Sequence, residues 1–96
     1  QDNIIDMAKR FGWMVAHFRP ALLKDGTYRT AVQGDGAGFP DLVLARGGVL
    51  FCMELKSEKG HLSEAQKEWQ TEIGVLSVGI FRPSDWLSGR IEEKLR

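Results

Sequence analysis

Two carboxylates and one ammonium come together in this sequence once a single turn is allowed for. The apolar runs Leu42 to Ala45 and Val49 to Leu55 flank the pair Gly47-Gly48. Such a pattern predicts a β-hairpin closed by a two-residue turn. Counting outward from Arg46 opposite Val49 sets Asp41 opposite Glu54. The two carboxylates then share one face of the sheet with Cβ atoms roughly 4.5–5.5 Å apart. Lys56, two residues beyond Glu54, points to the same face. A three-residue turn would instead set Asp41 against Met53 or Leu55, so the geometry depends on the register.

Like charges placed this way repel. At about 5 Å and an effective dielectric near 20 the cost is on the order of 3 kcal/mol. A favourable cross-strand pair contributes only roughly 0.2–1 kcal/mol. A bound cation, a shared proton or a salt bridge to Lys56 could each offset the repulsion. Oxygen ligands at this spacing suit a hard divalent ion, Mg²⁺ or Mn²⁺. Such an ion polarises a phosphoryl oxygen and activates a bound water, and Lys56 beside it could orient that water or stabilise the charge that develops on phosphorus. The same spacing also fits a plainer arrangement, with Asp41 ending a strand and Glu54–Lys56 forming an ordinary ion pair.

The elements that position these residues can be read from periodicity. Ile4, Ile5, Ala8 and Phe11 recur at helical spacing ahead of Gly12, which predicts a helix over 2–11. Trp13 to Phe18 reads as a strand. The stretch from Arg19 to Phe39, rich in glycine, breaks the pattern, with a short strand near Tyr28–Val32. Ser63-Glu64-Ala65-Gln66 has the form of a capping box and predicts a helix starting at about Glu64, with Ala65, Trp69 and Ile73 on its inner stripe and Gly74 at its end. The run 75–81 predicts a buried strand stopped by Pro83. Ser84 is placed to cap a last helix carrying Leu87, Ile91 and Leu95 on one face. The order is αβββαβα. The hairpin is apolar on both faces, which calls for a mixed β-sheet flanked by helices in a three-layer α/β core.

At 96 residues with 27% charged side chains, the chain is predicted to form one globular domain over 1–96. It holds no apolar run long enough for a membrane span. Its first residues, QDNIIDMAKRFG, lack the pattern of a secretory signal. The single cysteine, Cys52, suits a reducing intracellular setting and a place in the core. Thirteen basic and thirteen acidic residues balance, so total charge is silent on nucleic acid and any such case rests on local arrangement.

Gly38-Phe39-Pro40-Asp41-Leu42, then Glu54-Leu55-Lys56, then Lys59 to Gln66 (KGHLSEAQ) resemble the PD-(D/E)xK nuclease motif. More narrowly they resemble the VRR-NUC branch of that superfamily, including small stand-alone versions found in phages. The resemblance covers roughly Ile4 to Trp86, with Arg82-Pro83-Ser84-Asp85-Trp86 as a tail feature. It implies a restriction-endonuclease-like core and Mg²⁺- or Mn²⁺-dependent hydrolysis of DNA phosphodiester bonds in the cytoplasm, of a host cell if the chain is phage-encoded. It further implies that Asp41, Glu54 and the Leu55 backbone carbonyl hold metal, that Lys56 acts on the water, and that Gln66 lies beside the active site. Gln66 is explained equally well by its capping role. Small nucleases of this branch resemble Holliday-junction resolvases, which implies branched or four-way DNA as substrate and a homodimer. In one respect the sequence departs from the family, which carries a further acid in the first helix. Gln1, Asp2 and Asp6 are the nearby candidates, and the spacing places that acid upstream of Gln1.

Arg19, Lys24, Arg29, Lys59, His61 and Lys67 are candidates to follow a phosphate backbone past the metal site, against a plain reading as scattered solvated charges. His17 and the tryptophans Trp13, Trp69 and Trp86 read as structural. Two other functions fit the same residues. One is a DNA-binding or assembly domain that keeps the fold with an incomplete site. The other is a hydrolase of nucleotides or other phosphate esters.

Overall fold

The computed structural model describes residues 2–18 and 38–96 and, for their backbone, 21–22 and 28–29. Helix α1 spans Asp2–Arg10, followed by strand β1 (Met14–His17), the short strands β2 (Ala21–Leu22) and β3 (Tyr28–Arg29), and the hairpin β4 (Leu42–Arg46) and β5 (Val49–Leu55). Helix α2 (Glu64–Ile73), strand β6 (Val78–Phe81) and helices α3 (Pro83–Leu87) and α4 (Arg90–Leu95) complete the chain. The predicted strand near Tyr28–Val32 is present as β3, which pairs with β2; residues 30–32 lie outside the described residues.

Four strands form one mixed sheet in the order β1-β4-β5-β6. β1 and β4 run antiparallel, as do β4 and β5, whereas β5 and β6 are parallel. Arg46 pairs with Val49 across the turn and Leu42 with Met53, which is the predicted register. Gly47 and Gly48 have φ of 56° and 84°. Two consecutive positive φ values give the turn whose twist matches that of the strands, and only residues without a Cβ adopt them at little cost.

The main core lies on one face of this sheet. Leu42, Leu44 and Met53 are completely buried there, with Phe51 beside them, against Ile4 and Ala8 of α1 and Ile91 and Leu95 of α4. Arg46 ties the two helices to the sheet. Its guanidinium donates to the carbonyls of Phe11 (2.9 Å) and Leu95 (3.0 Å) and stacks 4.3 Å from the centre of the Trp13 ring. A cation set at two helix C-termini is favourably placed for both dipoles. Trp13, through its indole N–H, reaches the Leu95 carbonyl at 2.8 Å.

Helix α2 covers the opposite face at the end that carries Asp41 and Glu54. Phe39 meets Trp69 of α2 edge-on at 4.9 Å and Phe18 at 5.1 Å. Gly38 lies so close that a Cβ on it would come within 2.6 Å of the Ala65 backbone. At the hairpin end of the same face Ala45 is exposed and Leu50 is 57% exposed. Among the described residues, cover on this face therefore stops short of the hairpin turn.

Two predicted boundaries are corrected. The run 75–81 is a strand only from Val78, because Ser77 N–H turns back to the Gly74 carbonyl (3.0 Å), leaving Val75 and Leu76 exposed in the turn. The last helix is broken in two. Gly89, in the left-handed region at φ 82°, ends the continuity between α3 and α4, so Leu87 is 85% exposed and does not join Ile91 and Leu95 in the core. Arg82, not Ser84, is the N-cap of α3, and Pro83 occupies the first turn, where its missing N–H costs nothing.

Candidate active site

Asp41 immediately precedes β4 and Glu54 is the penultimate residue of β5. The register that pairs Leu42 with Met53 places the two acids opposite each other. Glu54 is 3% exposed, the single charged residue type in an otherwise apolar set of buried side chains among the described residues. Burial pushes its carboxyl up to about 8; the neighbouring Asp41 charge and a hydrogen bond between the two carboxyls push the same way, and only the Lys56 ammonium opposes them. Of the three ways to offset the repulsion, a proton on Glu54 is the one this raised value favours when no cation is bound.

The hydrogen bonds around the pair leave one carbonyl acceptor open. Asp41 Oδ2 accepts the Leu55 N–H at 2.8 Å. In a continued ladder that N–H would meet Pro40, the residue opposite Leu55. Pro40 is fully buried and has no N–H to return to the Leu55 carbonyl. The Leu55 carbonyl, which points to the same side of the strand as its N–H, is thus left without a ladder donor next to the two acids. Gln66 Nε2 donates to Glu54 Oε1 at 3.1 Å. Its Oε1 meanwhile accepts the Ser63 N–H at 2.8 Å, and the Ser63 hydroxyl accepts the Gln66 N–H at 3.1 Å. One side chain therefore makes two sets of contacts: its oxygen completes the capping box and its nitrogen reaches the Glu54 carboxyl.

Lys56 follows the last residue of β5, and its N–H donates to the Phe81 carbonyl at 2.9 Å. Its charge acts on Glu54. Asp41, Glu54, Leu55, Lys56 and Gln66 are thus brought to one end of the sheet. The basic candidates are less concentrated. Lys59 and His61 are exposed in the connection to α2. Lys67 is exposed and sits 3.3 Å from Glu64. Arg19 and Lys24 lie outside the described residues, as does the side chain of Arg29.

Asp2 and Asp6, the first-helix acids, are both exposed on α1. Among the described residues no group of three or more His, Cys, Asp or Glu side chains gathers as a metal site. The donors beside Glu54 are the two carboxylates and a backbone carbonyl. These are hard oxygen donors, and a proton on Glu54 is what a divalent ion would displace. The residues present fit such an ion.

Sequence reasoning missed what Pro40 and Arg82 do. Pro40 stood in the quoted motif, and its missing N–H was the available signal. Arg82 acts across the fold, on carbonyls 22 to 25 residues away. Cys52 is buried, and burial raises its thiol above the usual range; it is a core residue. No helix among the described residues is long and apolar enough to cross a membrane.

At the level of class, the molecule is an α/β domain with a four-stranded mixed sheet and, at one sheet end, a buried Glu54 facing a half-buried Asp41. Compared with protein-family models, curated proteins and solved structures, the chain matches none.

Proposed function

We propose that this protein is a Mg²⁺- or Mn²⁺-dependent deoxyribonuclease with a restriction-endonuclease-like core, hydrolysing phosphodiester bonds in branched or four-way DNA as a homodimer. The observation that carries the reading is the pair Asp41–Glu54, with Glu54 buried and its carboxyl pushed up to about 8 beside the half-buried Asp41. A domain of this size gains nothing in stability from two opposed acids, so their placement points to a ligand. Asp41, Glu54 and the Leu55 carbonyl would hold the ion. When bound, it supplies polarisation of a phosphoryl oxygen and a water of lowered pKa. Gln66 fixes the Glu54 carboxylate, the Leu55 N–H fixes that of Asp41, and Lys56 orients the attacking water or stabilises the charge on the phosphate. Lys59, His61 and Lys67, which are exposed, would meet the strand on either side of the site.

Labelled duplex, flap and four-way DNA incubated with Mn²⁺, with and without EDTA, tests the reading. Cleavage is expected with Mn²⁺ alone and is lost in Glu54→Ala. Cleavage that survives EDTA would contradict the metal role.

The exposure of Asp2 and Asp6 favours a second reading, a DNA-binding or assembly domain with an incomplete site. Binding of four-way DNA without cleavage in either metal would establish it. Turnover of small phosphate esters alone would replace both.

A further inference from the structure

The sheet ends at Leu55, which pairs with Phe81, so Lys56 carries its ammonium beyond the last paired residue. A lysine has four rotatable bonds and loses roughly 2 kcal/mol of side-chain freedom on being fixed. The sheet fixes its backbone, through the Phe81 carbonyl at 2.9 Å, but not the course of its side chain, and the loop that follows is bound in an unusual way. Arg82 Nη1 donates to the Ser57 carbonyl at 2.5 Å and to that of Gly60 at 2.9 Å, with the Glu58 carbonyl at 3.4 Å. In return the Glu58 carboxylate accepts from the backbone N–H of Ser84 and, at 3.1 Å, from its hydroxyl.

The two segments therefore grip each other through two side chains that cross in opposite directions. Both ends of the grip are themselves fixed. Asp85 accepts the Arg82 N–H at 2.7 Å and pairs with Arg90 at 2.9 Å. Gly60 lies under Lys56: a Cβ there would stand 2.9 Å from Ser57 Oγ and 3.6 Å from Lys56 Cδ.

Most of these bonds are exposed. Exposed charged contacts contribute little to stability, so a role in holding the fold together does not explain why two charged side chains are committed to one four-residue loop. We propose that Arg82 and Glu58 are positioning residues, a reciprocal clasp that fixes the Ser57–Gly60 loop and through it aims Lys56 at the carboxylate pair. This rests on the nuclease reading, in which Lys56 acts on the reacting water or phosphate. Misplacing such a group by about 1 Å costs on the order of a hundredfold in rate.

The test compares Arg82→Met, which keeps the packed stem and removes the donors, with Arg82→Lys, whose ammonium can still reach the loop carbonyls. Glu58→Ala opens the clasp from the other side should the Arg82 variants fold poorly. Single-turnover cleavage of labelled four-way DNA in Mn²⁺ is read beside acylation of each lysine followed by mass spectrometry. Arg82→Met and Glu58→Ala are expected to slow cleavage by about tenfold or more, with DNA and Mn²⁺ affinity within about twofold of the starting protein. Arg82→Lys recovers most of the rate. In a Lys56→Ala background Arg82→Met changes the residual rate no further, because its effect acts through the missing amine. Acylation of Lys56 becomes several-fold faster in Arg82→Met while that of Lys67 stays the same. An unchanged cleavage rate, a loss that persists without Lys56, or unchanged Lys56 acylation each overturns the clasp. Should the starting protein cleave no DNA, the nuclease reading falls and the acylation arm alone decides whether Arg82 aims Lys56.

Discussion

Asp41 and Leu42 are consecutive residues whose side chains leave the sheet on opposite faces. Leu42 enters a layer where Leu44, Met53, Ile91 and Leu95 are as fully buried as it is. Asp41 faces Glu54, an acid that is buried and pushed up to about 8. The helix over that second face, α2, contains no buried residue at all. One face gains stability from every side chain it covers. The other keeps a pair that opposes folding and is tethered by directional bonds from Leu55 and Gln66. Stability and the proposed chemistry are thus separated by the alternation of a single strand, and substitutions on the two faces should fail in different ways.

The largest effect is expected from Glu54→Gln. It keeps an amide in place of the carboxyl but removes the charge a divalent ion needs, so DNA cleavage in Mn²⁺ should fall on the order of a thousandfold. Melting temperature in EDTA at pH 8 should rise, because the substitution removes a group that resists ionising in the fold. The sign follows from the raised value. Glu54 titrates near 4.5 when unfolded and at about 8 when folded, so its contribution to stability is complete below pH 4.5. That contribution is lost as pH climbs toward 8, by up to about 1.4 kcal/mol per pH unit. Melting curves from pH 5 to 8 in EDTA should show this decline in the starting protein and not in the variant. Equal slopes would mean that the acid pair does not oppose folding.

On the other face, Leu42→Ala should cost about 2–5 kcal/mol in denaturant unfolding, the range for emptying a packed site. Below its melting point the variant should still cut DNA at a rate close to that of the starting protein. A variant that is stable but inactive would show that the faces are coupled.

The smallest of these effects belongs to Ser63→Ala. Its hydroxyl caps α2 and accepts from Gln66, so its loss should cost about 1 kcal/mol, or about 4–8 °C in a domain of this size. Cleavage should slow by a few-fold as Gln66 loosens its hold on Glu54. If activity drops as far as in Glu54→Gln, Gln66 takes a direct part in the reaction.

What could be read in advance follows the same division. The hairpin register was legible because Gly47-Gly48 admits few turns, and one correct turn places Asp41 against Glu54 with no further information. The start of α2 was legible because Ser63 and Gln66 lie three residues apart and act locally. The break at Gly89 was not, since Leu87, Ile91 and Leu95 keep helical spacing whether or not the helix is continuous. Nor was the strand beginning at Val78, because Val75 and Leu76 are as apolar as the residues that do enter the sheet. The contact of Gln66 with Glu54, which only the family resemblance implied, and the grip of Arg82 on the 57–60 loop depend on contacts between segments, 12 and 22 to 25 residues apart. Spacing along a chain cannot reveal them.

A carboxylate pair that exchanges its proton for a divalent cation is the centre of the proposed function. Calorimetric titration of Mn²⁺ in two buffers of different ionisation enthalpy measures that exchange directly. The apparent affinity should rise about tenfold per pH unit from pH 6 to 8 and level off above, with close to one proton released per ion bound at pH 7. Binding that releases no proton and is indifferent to pH, or Mn²⁺ affinity unchanged in Glu54→Gln, would contradict a metal centre at Asp41 and Glu54.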